Sequence, residues 1–129
     1  MHELSICQNV LAQVEQMAKR HQSSCAKRIV LRVGPLSGVV EELLRRAFDL
    51  LRPDSVVENA VLDIQTCPVV VLCPSCDKES QVPVNKLVCP HCLQWQTTLV
   101  SGDELLLLQI EFLPSNLPEN VNYLEKAHV

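Results

Sequence analysis

Four cysteines in two matched pairs carry the clearest chemistry in this chain. Cys73-Pro-Ser-Cys76 and Cys89-Pro-His-Cys92 stand twelve residues apart. Each pair is spaced to fold into a tight knuckle, and two knuckles at this separation can converge on one ion, the tetrahedral arrangement that zinc takes. Pro74 and Pro90 hold the same place in each pair, where a pre-set φ suits a turn. Two disulfides or redox motifs explain the pattern less well, because a redox pair has no reason to be duplicated with its proline. Four thiolates leave no open coordination position, so the expected zinc is structural and a zinc hydrolase is set aside. His91, between two ligands, reads as an exposed knuckle residue rather than a base.

A second candidate site lies at the start, Met1-His2-Glu3. The Met1 α-amine, the His2 amide nitrogen and the His2 imidazole can close fused chelate rings around one cation. Glu3 can add its amide nitrogen or its carboxylate. Nitrogen-rich planar sets suit Ni(II) or Cu(II) better than zinc. The ordinary alternative is a frayed, solvated terminus without a role. Other polar residues read more blandly: Glu41 and Glu42 as a solvated helix face, His21 as a helix-closing residue, and His128 as an exposed terminal one. Gly34, Gly38 and Gly102 are scattered, so no glycine-rich phosphate loop is present, and no nucleophile sits in a recognisable setting with a histidine base. No catalytic or organic-cofactor site is expected.

Elements that position these residues follow from periodicity. Leu4, Cys7, Val10, Leu11, Val14, Met17 and Ala18 form a buried stripe on a helix over 4–21, which makes Cys7 a core residue. Residues 28–33 alternate as a strand, with Ile29, Leu31 and Val33 inward. A second helix over 37–51 starts at Ser37 as N-cap, buries Val40, Leu43, Leu44, Ala47, Phe48 and Leu51, and carries Glu41–Arg45 and Glu42–Arg46 ion pairs. Strands follow over 61–66 and 104–113, the latter with Leu106, Leu108, Ile110 and Phe112 on one face. Cys67 reads as a packed free thiol and Cys25 as an incidental one. The expected class is α+β, a small sheet packed with two helices and an inserted four-cysteine zinc-ribbon module. Residues 1–68 and 101–113 make the α/β domain that carries the terminal chelate, 69–100 the zinc-binding domain, and 114–129 an irregular tail.

A chain of 129 residues suits one modest domain with a metal-bound appendage. The net charge of −4 argues against a general nucleic-acid binder, and one Trp, one Tyr and two Phe are too few for a base-stacking platform. Seven cysteines are an odd count, and with their pairing and the lack of a signal peptide they point to a reducing cytosol. No apolar run approaches a membrane span. A soluble, cytoplasmic protein is expected.

Met1-His2-Glu3-Leu4-Ser5, Cys7-Gln8, the Gly34-Pro35-Leu36 turn, the helix with Phe48 and the late double CxxC together resemble the HypA/HybF family of nickel metallochaperones for [NiFe]-hydrogenase maturation. The resemblance extends to about residue 113. It implies nickel held by Met1, His2 and Glu3, and a structural zinc on Cys73, Cys76, Cys89 and Cys92. It also implies a maturation GTPase and the hydrogenase large-subunit precursor as partners and, in some members, urease maturation proteins; neither nucleic acid nor membrane is involved. One departure stands out. Glycine commonly follows each knuckle of a zinc ribbon, where φ is positive, but this chain has Asp77 and Leu93. Leu tolerates that conformation poorly, so a differently shaped second knuckle is expected. The alternative function is a non-enzymatic zinc-ribbon adaptor that binds a protein partner, with His2 inert.

Overall fold

The computed structural model describes residues 2–23 and 25–113, and the backbone of 119–128. The fold is α+β. Helix α1 (Glu3–Arg20) is followed by strand β1 (Ala26–Val33), helix α2 (Glu41–Leu51) and strand β2 (Val61–Gln65). Three short strands, β3 (Val70–Cys73), β4 (Lys78–Gln81) and β5 (Thr98–Ser101), make an arm before β6 (Leu105–Phe112) and β7 (Glu119–His128). The main sheet has order β2-β1-β6-β7, and the arm is a separate sheet of order β4-β3-β5. β1 and β2 are parallel, as a strand–helix–strand unit requires, while β6 runs antiparallel to β1.

One face of the main sheet carries both helices. Ile6, Cys7, Val10, Val14 and Ala18 of α1 and Leu44, Ala47 and Phe48 of α2 share one core with Ile29, Leu31, Leu62, Leu107 and Ile110. Ile6 is fully buried, so the α1 stripe is wider than the three-and-four spacing indicates, while Leu4, Leu11 and Met17 pack at its margin. The opposite face keeps a cross-strand cluster in which Arg28 pairs with Asp63 and, at 3.6 Å, with Glu111.

Helix α2 differs from expectation at its start. It begins at Glu41, its N-cap Val40 makes no side-chain cap, and Val40 and Leu43 are exposed. Ser37 instead takes the Val39 N–H on its hydroxyl at 3.3 Å, closing a local turn rather than capping the helix. The two ion pairs form as spaced, Glu42–Arg46 at 2.7 Å and Glu41–Arg45 at 3.9 Å.

Strand β6 departs from simple alternation. Its pairing with β1 runs Ile29–Ile110, Val30–Gln109 and then Leu31–Leu107, which leaves Leu108 as an extra residue. That bulge reverses the facing of everything before it, because the side-chain period is two. Leu105 and Leu107 therefore join the core with Ile110 and Phe112, in place of Leu106 and Leu108.

The tail also differs. Residues 119–128, expected to be irregular, form β7 antiparallel to β6. Without β7, β6 would present a row of unpaired backbone groups, and pairing satisfies them whatever the local composition. The irregular reading of 114–118, and the reading of the His128 side chain, lie outside the described residues.

The arm meets the main sheet through bare backbone. Gly34 donates to the Glu104 carbonyl at 2.8 Å, and the Leu36 N–H donates to the Gly102 carbonyl at 2.7 Å. A Cβ on Gly34 would overlap the Gly102 carbonyl and lie 2.9 Å from the Glu104 nitrogen, and Gly102 itself has φ +124°. Leu36 then packs on the arm's own core of Val69, Val71 and Val82. The Glu104 carboxylate accepts the Gly102 N–H at 2.6 Å. Burial opposes its charge, but the Cys67 thiol and the Gly102 N–H hold it below the usual carboxylate range. Cys67, which burial and then Glu104 push up, is half-buried and lies outside both apolar cores, so it is a hydrogen-bonded thiol and not the packed one expected. Because the clash at Gly34 is with backbone, Gly34→Ala is expected to cost at least about 1–3 kcal/mol. Thermal denaturation of the zinc-loaded protein checks this; an unchanged midpoint would mean that the two segments separate without penalty.

Candidate metal centres

The two knuckles have the same local geometry. In the first, the Asp77 N–H donates to the Cys73 carbonyl at 2.8 Å, and in the second Leu93 donates to Cys89 at 2.9 Å. Asp77 and Leu93 both adopt left-handed backbone, at φ 55° and 64°. The second knuckle therefore is not shaped differently. Leu93 is forced into a conformation that disfavours its Cβ by about 1–2 kcal/mol.

All four Sγ atoms, of Cys73, Cys76, Cys89 and Cys92, lie within 4.8 Å of one another. Cys73 and Cys92 are 3.5 Å apart, and Cys76 and Cys89 are 3.9 Å apart. A tetrahedron with Zn–S bonds of about 2.3 Å has sulfur–sulfur edges of about 3.8 Å. The cluster thus fits zinc in ligand type, number and spacing. Cys73 and Cys89 are buried, and the Cys76 N–H points to Cys73 Sγ at 3.4 Å.

Protonation within the cluster is uneven. The backbone N–H groups of Cys92, then His91, lower the Cys89 thiol to about 7, while hydrogen bonding to Cys92 and burial raise Cys76 to about 12. Without a cation the sulfurs cannot all ionise at such close range, and they share protons instead. Zinc must displace those protons.

At the other end of the molecule, His2 is exposed and extended, with φ −78° and ψ 129°, and occupies the N-cap of α1. Its carbonyl accepts the Ile6 N–H at 3.2 Å, which fixes its backbone to the helix. No side chain caps the helix start. The first N–H groups of a helix have no intrahelical acceptor, so the His2 and Glu3 amide nitrogens have no backbone partner within α1. Met1 lies outside the described residues. Beside this end, His2, Glu3 and Leu4 border a cleft of about 260 Å³ walled by Leu43, Arg46, Ala47 and Leu50 of α2. Sequence reasoning missed that wall; its signal is the seven-residue spacing of Leu43 and Leu50 at the margin of the α2 stripe. Cys7, one turn into α1, is buried with its thiol donating to the Leu44 carbonyl at 3.4 Å. Burial, then the Glu3 charge, pushes that thiol up to about 11, so it stays neutral and structural, as expected.

Residues 1–112 match the family described as hydrogenase/urease nickel incorporation, metallochaperone, hypA. The chain belongs to the HypA family. It is 40% identical over 113 residues to a hydrogenase maturation factor HypA of Nitrosospira multiformis, covering 88% of this chain and 98% of that protein. It is 38% identical over 111 residues to the HypA of Shewanella baltica, covering 86% and 95%. The fold matches the solution structure of the Ni metallochaperone HypA from Helicobacter pylori at a TM-score of 0.64 and 30% identity, over 89% of this chain and 100% of that one. Among the described residues no helix is long and apolar enough to cross a membrane.

Two measurements follow from the HypA cluster. Cys89 is ionised before zinc arrives at about pH 8 but protonated at about pH 6, so zinc loading should release one proton fewer per chain at the higher pH. Titration in weak buffer reads this directly, and equal release at both would contradict a low Cys89 thiol. Leu93→Gly should hold zinc at least as tightly as the parent, because relief of the left-handed strain offsets the added freedom of glycine. Competition with a chelator gives the comparison, and a tenfold loss would show that Leu93 is not strained.

Proposed function

We propose that this chain is a non-enzymatic nickel metallochaperone, which binds Ni(II) through the Met1 amine, His2 and Glu3 and delivers it during [NiFe]-hydrogenase maturation. The observation that carries the reading is the helix start. An exposed imidazole and uncapped amide nitrogens sit together at a position fixed by the Ile6–His2 hydrogen bond, on a chain of the HypA family. Nitrogen and oxygen donors at an open edge suit a cargo ion that must leave again. Cys73, Cys76, Cys89 and Cys92 hold zinc, which organises the arm and takes no part in transfer. The working partners on this reading are the maturation GTPase and the hydrogenase large-subunit precursor, with urease maturation proteins as further recipients in a family whose description covers both enzymes. The site of action is the cytoplasm, where both metal exchange and reduced thiols are maintained.

The chelate needs the amine, so a one-residue extension before Met1 and His2→Ala should each abolish tight nickel binding while zinc content stays unchanged. Isothermal titration of zinc-loaded protein with a native terminus should give one nickel per chain, at least about tenfold weaker in either variant. Undiminished uptake in both would place nickel elsewhere. No specific uptake in the parent would favour the adaptor role for the arm.

A further inference from the structure

The arm carries a pocket that borders the zinc cluster, with the ligand Cys89 in its wall. Val82, Pro83, Lys86, Val88, Pro90 and Leu93 line a cavity of about 300 Å³ between the end of the edge strand β4 and the second knuckle. Its wall includes the left-handed residue, and Leu93 is 70% exposed despite being a large apolar side chain. Two residues on, Trp95 is 72% exposed, the single Trp of the chain. Val84 is exposed as well. An exposed leucine held where glycine fits better contributes nothing evident to folding, and strain of this kind points to a binding role. Apolar pockets are where partner side chains anchor, and an exposed Trp two residues along the chain from the pocket wall is a second candidate anchor.

Charge decides the occupant. Lys86 is the one charged residue in the lining, it is exposed, and it makes no ion pair among the described residues. Lys86 thus sets a positive charge at the rim of an otherwise uncharged lining. A basic segment would meet Lys86 with like charge, while one cation and one Trp are too few to track a nucleic-acid backbone. We propose that this pocket docks an acidic segment of another protein, which seats a bulky apolar side chain against Leu93 and Val88 and sets Asp or Glu beside Lys86. The proposal is independent of the nickel reading, and nickel binding at the terminus is not needed to test it.

The test selects a random twelve-residue display library on zinc-loaded, full-length protein, with subtraction on the Lys86→Glu, Leu93→Gly double variant. Enriched sequences should share a large apolar residue flanked by Asp or Glu. Synthetic versions should bind at micromolar concentration and blue-shift Trp95 emission. Lys86→Glu and Leu93→Gly should each weaken them about tenfold, with zinc content unchanged. Lack of enrichment, or peptides indifferent to both variants, would overturn the proposal. So would a Trp95 shift that follows protein concentration in sedimentation, which would make a second copy the occupant. An oligouridylate that shifts Trp95 as strongly would assign the surface to nucleic acid instead.

Discussion

Two segments of backbone that pass each other without side chains between them govern this structure. The chain leaves the main sheet after β2 and returns to it at β6; the returning crossing lies against Gly34 at the end of β1, and Val69 of the outgoing crossing lies against Gly102. Only hydrogen atoms fit at that approach, and it lets Gly34 and Leu36 bond to the returning strand. Leu36 then contributes to the arm's small valine core. Three buried valines are too few to stabilise a module of this size, so the arm depends both on this docking and on its metal. The same turn leads into α2, whose Leu43, Arg46 and Leu50 wall the cleft beside His2. One short stretch therefore orients both ends of the molecule.

The two metal ends differ in how firmly their ligands hold. At the arm, four sulfurs converge in a closed set, suited to an ion that remains. At the helix start, the donors of the proposed nickel site are nitrogen and oxygen on an exposed edge. A thiolate close to that edge would trap a soft cation, and Cys7 is only one turn away. Burial keeps it a neutral thiol, raised to about 11 and engaged with the Leu44 carbonyl, so the cysteine that could capture cargo is committed to joining the helices. On the proposed reading, that separation is what lets one small chain carry a permanent metal and a transferable one.

Much of the fold and the four-cysteine cluster were legible in the sequence, because helix periodicity and CxxC spacing are local signals. Leu44, Ala47 and Phe48, the Glu–Arg pairs of α2, and the convergence of four cysteines could all be read that way. What stayed hidden is set between distant segments. The bulge at Leu108 depends on the register against β1, and nothing in a run of four leucines shows which one is extra. β7 is hidden for the same reason: Pro114 and Pro118 before it and Asn120 and Asn122 within it argue for irregular chain, while the open edge of β6 argues for pairing. Gly34 and Gly102 look scattered in sequence and meet only in the fold.

Leu93 shows why local preference misleads inside a metal knuckle. Its left-handed backbone costs about 1–2 kcal/mol, whereas the apparent free energy of structural zinc binding is about 10–16 kcal/mol in zinc-finger peptides at neutral pH. The larger quantity fixes the turn, and the hydrogen bond from Leu93 to the Cys89 carbonyl forms as its counterpart does at Asp77. A glycine at that position is a convenience for the backbone and not a requirement of the site. The position is thus open to a side chain selected for something other than folding, and the residue that occupies it is apolar, exposed and at the lip of a pocket.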